Sequence, residues 1–407
     1  MPRSLADVPA KPKPRSSGEA TGRLVKEPNP MASDITIRRV TARVYRAPLS
    51  SPVTTSFGVM RDRPMVLVEV EDQNGVTGFG EVWCNFPSVG AEHRARLVDS
   101  ALAPLLTSRS FASPREAFAF LTERTEVLAL QCAEPGPFAQ AIAGLDTALW
   151  DLSARRVEAP LWWHLNAEAD PAIHVYASGL NPDGPERLAA AREREGYTAF
   201  KLKIGFGLER DRANLTALRE TLGSDAELMV DANQAWSLDT ALEMAPKFEA
   251  FNLKWLEEPI RADRPWPEWQ RLRTATGIPL AGGENLAGAA AFQTALAEGA
   301  LDVVQPDLAK WGGISGTAPV ARAILKAGKR FCPHYLGGGV GLLASAHLLA
   351  AAGGDGLLEI DANPNPLREL IATPLQKITC GVVVLPATPG LGPAPDFESL
   401  ERFRVPH

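Results

Sequence analysis

Seven polar side chains recur along the second half of the chain at intervals of 23 to 28 residues. Each follows a short apolar stretch of the kind expected for a buried strand. Intervals of this length match one strand-plus-helix unit, so the side chains are expected to converge at one end of a barrel. The series comprises Lys203, Asp231, Glu257, Glu284, Asp307, His334 and Glu359.

Three of these groups are carboxylates on adjacent strands, Asp231, Glu257 and Glu284. Left unpaired, converging anions repel one another and carry a large desolvation cost. A divalent cation relieves both, and oxygen ligands with room for water suit Mg²⁺. A salt-bridge network with the lysines is the alternative explanation. Asn233 is a candidate partner of the ligands and of substrate, whereas Glu258 is expected to point away from Glu257 because side chains alternate along a strand.

Lys201 and Lys203 lie on either side of Leu202, so both should point to one face of their strand. Two ammonium groups so close repel, which favours a neutral amine on one of them. A neutral lysine can act as a general base. Two solvated lysines would be the plain alternative, but the apolar residues around them, Phe200 and Ile204 among them, argue against it.

Asp307 and His334 are expected on neighbouring strands, where the carboxylate could orient the imidazole. His334 would then be a second acid or base, approaching substrate from the face opposite the lysines. Glu359, at the end of the last strand, could form a salt bridge or, if protonated, donate a hydrogen bond to a substrate carboxylate or enolate.

The elements that must position these groups are short strands alternating with helix-length amphipathic stretches. Eight such units follow one another from about His174, which predicts a (β/α)₈ TIM-like barrel over residues 161–361. Strands and then helices in residues 34–160 predict an N-terminal α+β capping domain, with a hairpin turn at Asp72–Gly75. Residues 362–407 are expected to return to the capping domain, through the strand-like run 378–385.

Composition bounds the classes of function. The formal net charge of −6 gives no basic footprint for nucleic acid, and an uncharged stretch at 331–354 contains proline, two histidines and clustered glycines, which disfavours a membrane span. Four scattered cysteines form no CxxC pair, as expected in a reducing cytoplasm. Residues 1–33 are rich in Pro, Lys, Arg and Ser without an apolar run, which predicts a disordered tail rather than a secretory signal.

Taken together, these motifs resemble the enolase superfamily and, within it, the mandelate racemase subgroup. The motifs are KLK at 201–203, DAN at 231–233, WLEEP at 255–259, GGEN at 282–285, QPDLAKWGG at 305–313, CPHYLGGG at 332–339 and GLLEID at 356–361. The resemblance implies that Asp231, Glu257 and Glu284 bind Mg²⁺. It also implies that Lys203, tuned by Lys201, and His334, paired with Asp307, are the two acid–base groups, that Glu359 stabilises an enolate, and that the protein is a homo-oligomer.

The implied reaction is removal of the proton next to a carboxylate. Loss of water from a hydroxylated sugar acid would then give a 2-keto-3-deoxy acid, a lyase reaction, whereas return of the proton to the opposite face would make a racemase or epimerase. A catalytically idle barrel and a phosphate-binding barrel explain the strand-end series less well. Specificity is expected from capping-domain loops, where Thr55, Arg61 and Trp83 are candidate contacts to a small carboxylate substrate.

Overall fold

The computed structural model describes the backbone of residues 34–54 and 59–407, with side chains described for residues 34–49 and 59–407. The tail expected over residues 1–33 and the candidate contact Thr55 lie outside the described residues. Within the described part, no helix is both long enough and apolar enough to cross a bilayer.

The N-terminal α+β domain is built on an antiparallel sheet in which β1 lies between β2 and a short C-terminal strand, Arg404–Val405, while β3 pairs with β2 and β4 pairs separately with β1. Its strands are β1 (Ile35–Thr54), β2 (Val59–Asp72), β3 (Thr77–Val82) and β4 (Ser110–Phe111). The hairpin expected at Asp72–Gly75 is confirmed, since Asp72 Oδ1 accepts the backbone amides of Asn74 and Val76. Gly75 has a φ of 80°, which a residue with a side chain rarely adopts.

Helices cover one face of this sheet. They are α1 (Gly90–Leu97), a π-helical turn (Val98–Leu102), α2 (Ala103–Leu106), α3 (Pro114–Gln131), α4 (Pro135–Arg156) and α5 (Leu161–Leu165). Helix α4 lies almost against β3, because a Cβ at Gly78 or Gly80 would meet its backbone at 2.1 or 1.9 Å. Only glycine allows so close an approach, and it brings the buried face of α4 onto the sheet.

Eight parallel strands form the barrel, and the fold class predicted from the sequence is confirmed. Hydrogen bonding runs in chain order from β5 to β11, and β12 pairs with β5, so the sheet is nearly closed. The strands are β5 (Ala172–Leu180), β6 (Ala199–Lys203), β7 (Glu227–Asp231), β8 (Leu256–Glu257), β9 (Leu280–Gly282), β10 (Val303–Val304), β11 (Arg330–Phe331) and β12 (Leu357–Asp361).

Helices alternate with the strands along the barrel. They are α6 (Pro185–Arg194), α7 (Leu208–Leu222), α8 (Leu238–Met244) with a 3₁₀ turn (Ala245–Phe251), α9 (Trp266–Ala275), α10 (Ala289–Glu298), α11 (Gly313–Lys326) and α12 (Gly339–Ala352). Helix α12 is buried along nearly its whole length, which accounts for the uncharged stretch in the sequence.

The barrel interior holds one apolar side chain from each strand or from the residue next to it, namely Tyr176, Ala199, Met229, Trp255, Ala281, Val303, Cys332 and Leu357. Two residues further along, several of the strands carry the polar groups of the series, as Met229 and Asp231 illustrate. Side chains at positions i and i+2 share a face of a strand, so the polar groups form the layer above this apolar plug.

The C-terminal segment contributes to both parts of the fold. It contains α13 (Pro366–Glu369), a 3₁₀ turn (Thr373–Leu375), β13 (Val382–Val384), α14 (Phe397–Glu401) and β14 (Arg404–Val405). The run 378–385, expected to reach the N-terminal domain, instead pairs β13 with the start of β5. Strand β6 pairs with β5 only from Ala177 onward, so backbone groups at the beginning of β5 need another hydrogen-bond partner, which β13 provides. Strand β14 is the one that pairs with β1.

Candidate active site

The strand-end side chains converge on the carboxyl end of the barrel. Lys203, Asp231 and Glu257 are directly in register on β6, β7 and β8, so neighbouring strands present them side by side. A cavity of about 320 Å³ opens above them. It is lined by Met60, Arg63, Trp83, Asn85, Phe86, Gly179, Asn181, Lys203, Asn233, Gln234, Glu284, Asn285, Lys310, His334, Leu336, Asp361 and Asn363.

Lys201 lies deepest and is fully buried between two carboxylates. Its Nζ is 2.6 Å from Glu257 Oε1 and 2.8 Å from Glu359 Oε1. Burial lowers the pKa of the amine, but the charges of Glu257 and Glu359 more than offset this and raise the pKa well above its usual value. Lys201 is therefore a fixed positive charge at the floor of the site.

Lys203 lies higher, and its side chain reaches the cavity. Its Nζ donates to Asp231 Oδ2 over 2.5 Å. Burial and the charge of Lys201 lower the pKa of Lys203, whereas Asp231 raises it, and the net change is upward. The expectation of a neutral amine on one of the two lysines is not met in this structure. Each side chain finds its own carboxylate, and that attraction exceeds the repulsion between the two ammonium groups.

Glu257 is held by three donors. Trp255 Nε1 and Gln305 Nε2 donate to its Oε2 over 3.1 and 2.6 Å, and Lys201 contacts both oxygens. Burial raises the pKa of Glu257, Lys201 opposes that rise, and the nearby carboxylate of Asp231 adds to it. Burial is therefore the main reason that the pKa of this carboxyl is raised to about 7.

Glu258 belongs to the same acidic region, which strand alternation did not predict. It contacts Asn285 rather than the partners of Glu257, yet it is only 2% exposed. Its φ of 36° departs from a regular strand, so the alternation rule fails at this residue. Burial, followed by the charges of Glu284 and Asp231, raises its pKa well above the usual value.

Glu284 and His334 contact each other across the cavity. Glu284 Oε2 is 2.8 Å from His334 Nε2, and the other ring nitrogen of His334, Nδ1, is 2.8 Å from Asp307 Oδ2. Asp307 is itself oriented by the backbone amide of Ala309. Burial lowers the pKa of His334, but Glu284 and Glu359 outweigh this effect and raise the pKa well above its usual value. The contacts at both ring nitrogens fix the imidazole in orientation.

Lys310 is a cation of the site that sequence reasoning missed. Its Nζ is 3.0 Å from Glu284 Oε1 and lies 5.2 Å from the centre of the Trp83 ring. It falls within the QPDLAKWGG motif, three residues after Asp307, so the motif itself contained the signal.

Glu359 is ionised rather than protonated. Ser178 Oγ donates to its Oε1 over 2.5 Å, and the backbone amide of Tyr335 donates to its Oε2 over 3.2 Å. Burial tends to raise the pKa of Glu359, but Lys201 and His334 lower it to about 2. The conditional prediction of a protonated donor at this position is therefore not met in this structure.

Three of the four candidate substrate contacts lie within the described residues, and they have different outcomes. Trp83 and Asn233 line the cavity, and Asn233 also donates its backbone amide to Asp231 Oδ1 over 2.7 Å. Arg61 is exposed and does not line the cavity, whereas Arg63 does. A register shift between the pairs Pro48↔Asp62 and Val53↔Met60 breaks the regular pairing at this end of β2. Such an irregularity re-aims side chains in a way that the sequence does not reveal.

The donors fit a divalent cation in chemistry and in charge. Six carboxylates meet four cationic side chains, which leaves two negative charges unbalanced when all are ionised. These residues are Asp231, Glu257, Glu258, Glu284, Asp307 and Glu359, against Lys201, Lys203, Lys310 and His334. In the described part of the chain, no three acidic, histidine or cysteine side chains form a ready-made metal cluster. The carboxylate oxygens contact the cations of the site instead.

A parallel barrel with an N-terminal α+β domain and a strand-end set of lysines, carboxylates and a histidine defines an enolase-type protein. The chain belongs to the mandelate racemase/muconate lactonizing enzyme family of the enolase superfamily. Residues 37–165 match the N-terminal domain model of that family, and residues 185–399 match the enolase C-terminal domain-like model.

Curated relatives include both isomerases and lyases. A D-galactarolactone cycloisomerase of Agrobacterium fabrum is 32% identical, with 88% of this chain and 96% of the relative covered. An arabinonate dehydratase of Saccharolobus solfataricus is 29% identical, with 82% and 89% covered. The chain is therefore a member of an enzyme superfamily whose curated relatives include both isomerases and lyases.

Solved structures share the whole architecture. A mandelate racemase/muconate lactonizing enzyme from Bordetella bronchiseptica RB50 is 56% identical, with a TM-score of 0.86 and 91% and 99% of the two chains covered. A racemase from Streptomyces coelicolor A3(2), solved with bound magnesium, is 31% identical, with a TM-score of 0.82 and 91% and 100% covered.

Proposed function

We propose that the protein removes the proton α to the carboxylate of a hydroxylated sugar acid and then expels water from the β-carbon. The product is a 2-keto-3-deoxy acid. One observation carries the proposal: Lys203 and His334 line the same cavity, each attached to its own carboxylate, above a floor formed by Lys201, Glu257 and Glu359.

Asp231, Glu257 and Glu284 are the residues proposed to hold Mg²⁺. The unbalanced negative charge of the site and the bound magnesium of the Streptomyces coelicolor relative support this assignment. When bound, the ion supplies Lewis-acid stabilisation of negative charge on a substrate carboxylate. Lys201 adds a second, permanent positive charge at the floor of the site.

Lys203 and His334 are the proposed acid–base pair. They come from the second and seventh strands of the barrel, so they approach the cavity from different sides. Asp231 and Glu284 raise the pKa of Lys203 and of His334, and with these carboxylates bound to Mg²⁺ that effect would be reduced. One of the two groups, in its neutral form, takes the α-proton, according to the stereochemistry of the substrate, and the other, in its protonated form, can protonate a leaving group. Asp307 is a positioning residue, because it fixes the imidazole through Nδ1 and leaves Nε2 to face the site.

The bond changes balance without any further reactant. The α-carbon loses its proton to the base, and the electron pair of that C–H bond forms the enediolate. These electrons then make the double bond to the β-carbon while its C–O bond breaks, and the departing hydroxyl takes a proton from the acid and leaves as water. The resulting enol becomes the keto acid when a proton is added at the β-carbon and the hydroxyl on the α-carbon loses its proton, so that its C–O bond becomes the carbonyl.

A second reaction, cycloisomerisation, is favoured by the galactarolactone cycloisomerase relative. Here the same proton is removed, but the leaving oxygen is part of a ring and stays attached to the product. The ring opens and no water is released. A racemase remains the third outcome, in which the second acid–base group returns a proton to the opposite face of the α-carbon.

Product analysis distinguishes the three reactions. The protein would be incubated in D₂O with Mg²⁺ and a panel of aldonates, aldarates and sugar-acid lactones, with proton NMR to follow the C2–H signal and an assay for keto acid. Keto acid formed from an open-chain acid supports the proposal. Keto acid formed only from lactones would establish cycloisomerisation, and epimer formation without elimination would establish a racemase; either result overturns dehydration.

A further inference from the structure

The wall of the cavity opposite its acidic floor contains a buried ion pair that the reaction does not use. Arg63, on β2 of the N-terminal domain, is 3% exposed, and its Nη2 is 2.6 Å from Asp361 Oδ2 at the end of β12. Both residues line the cavity. The pair therefore joins the N-terminal domain to the barrel at the substrate site.

Arg63 retains hydrogen-bonding capacity within this wall. Among the described residues, its Nε has no hydrogen-bond partner, and the only hydrogen-bond contact of its Nη1 is the sulfur of Met60 at 3.4 Å. A buried guanidinium donor without a partner is costly, so a ligand oxygen that accepts this hydrogen is favoured.

The position of the pair fits the far end of a sugar chain. Asp361 follows Glu359 by two residues on β12, so it faces the same side and lies about 7 Å further toward the mouth of the barrel. On the cavity side its neighbours are neutral amides: Asn181 donates to Asn363 Oδ1, and Asn363 donates to Asp361 Oδ1. Arg368, which is not among the residues that line the cavity, is 3.8 Å from Asp361 Oδ2 and has a carboxylate of its own, Glu369, at 3.2 Å. Amides and a guanidinium suit hydroxyl groups.

The charges of this wall indicate whether the remote end of the substrate carries a hydroxyl group or a second carboxylate. The cationic side chain of this wall, Arg63, is already paired with a carboxylate, since its Nη2 is 2.6 Å from Asp361 Oδ2. A second substrate carboxylate would therefore enter a low-dielectric site without an uncompensated positive charge to receive it.

We propose that Arg63 binds hydroxyl groups at the end of the substrate remote from the reacting carboxylate, and that Asp361, by neutralising Arg63, makes the enzyme selective for monocarboxylic over dicarboxylic sugar acids. This inference rests on the proposed function, because it concerns the substrate of the same site.

The test compares a monoacid and a diacid of the same configuration, galactonate and galactarate first and then other matched pairs. Dissociation constants would be measured calorimetrically with Mg²⁺ in a Lys203→Ala background, so that binding is separated from turnover. We expect the monoacid to bind at least about 10-fold more tightly, and Arg63→Met to weaken its binding by about 10-fold or more, the worth of a charged hydrogen bond. Arg61→Met, an exposed neighbour on the same strand, is the matched control and should change neither value.

Asp361→Asn provides the sharper variant. Removing the negative charge leaves Arg63 uncompensated, so the ratio of diacid to monoacid affinity should rise by about 10-fold or more. A parent that prefers the diacid, or an unchanged ratio in a folded Asp361→Asn variant, would overturn the inference while leaving the proposed reaction intact. If Asp361→Asn does not fold, the inference is tested by the ratio of monoacid to diacid affinity in the parent protein and by the affinity of Arg63→Met for the monoacid. Absence of binding by every matched pair would instead refute the proposed function, and this inference with it.

Discussion

The carboxylate of Asp146, on helix α4 of the N-terminal domain, accepts a hydrogen bond of 2.9 Å from the backbone amide of Ser315, in the first turn of barrel helix α11. The neighbouring residue on the next turn of α4, Trp150, donates its Nε1 hydrogen to Ser315 Oγ over 2.8 Å. Helix α11 follows the strand and loop that hold Asp307 and Lys310. The two parts of the fold are thus joined next to the segment that carries Asp307 and Lys310.

The burial of the Asp146 carboxyl predicts that the stability of the protein depends on pH. Burial is the main reason that the pKa of Asp146 is raised to about 7, against hydrogen bonds from Ser315 that lower it. The folded protein therefore keeps a proton that the unfolded chain releases near pH 4. The contribution to stability is complete below about pH 4 and is lost as the pH rises through about 7.

Asp146→Asn should remove this dependence, because the amide keeps the shape of the side chain without a charge. Relative to the natural protein, the variant should gain roughly 2–4 kcal/mol of unfolding free energy between pH 5 and pH 8. Urea unfolding of both proteins at the two pH values measures the difference. Parallel stability curves over this range would show that Asp146 is already ionised in the folded protein.

If Asp231, Glu257 and Glu284 hold Mg²⁺ as proposed, removal of the ion should abolish turnover and lower thermal stability. Asp231, Glu257 and Glu284 repel one another less when a cation is bound, and binding only to the folded state raises its melting temperature. Chelation followed by titration with Mg²⁺, monitored by calorimetry and activity, tests both effects. Asp231→Asn should weaken Mg²⁺ binding by at least about 10-fold, whereas the exposed Asp239→Asn should not change it. Equal Mg²⁺ affinity in both variants would contradict the ligand assignment.

Asp307→Asn should reduce kcat while leaving substrate binding nearly unchanged. Asn can still accept the backbone amide of Ala309, but it no longer supplies a charged partner to His334 Nδ1. The expected loss is about 10²-fold or more, the range that general acid–base catalysis contributes. The pH–rate profile should change in shape as well, because the carboxylate supports the protonated imidazole. A loss confined to KM with an unaltered profile would show that Asp307 acts on substrate binding instead.

Residue spacing predicted the main features of this site. The regular interval between polar strand ends identified Lys203, Asp231, Glu257 and His334, because one strand-plus-helix unit has a nearly fixed length in a barrel. The eightfold alternation of strands and helices predicted the fold for the same reason. Both are properties of regular elements, which local sequence encodes well.

Irregular backbone and long-range pairing account for what spacing could not predict. The backbone at Glu258 has a positive φ, and this residue adds a further carboxylate to the acidic region. Arg63 rather than Arg61 lines the cavity, next to a register shift between β1 and β2. The ionisation of Lys203 depends on a contact with Asp231 that only the folded barrel defines. The run 378–385 was assigned to the wrong sheet, since its partner is determined by which edge of β5 remains unpaired.

The most direct test of the account is exchange of the C2 hydrogen of a sugar-acid substrate in D₂O, followed by NMR in the natural protein, Lys203→Ala and His334→Asn. We predict that one of the two variants loses exchange by about 10²-fold or more while still binding the acid. The other variant should still exchange the hydrogen but form keto acid at least about 10²-fold more slowly. Exchange and elimination at the natural rate in both variants would contradict the assignment of Lys203 and His334 as the acid–base pair.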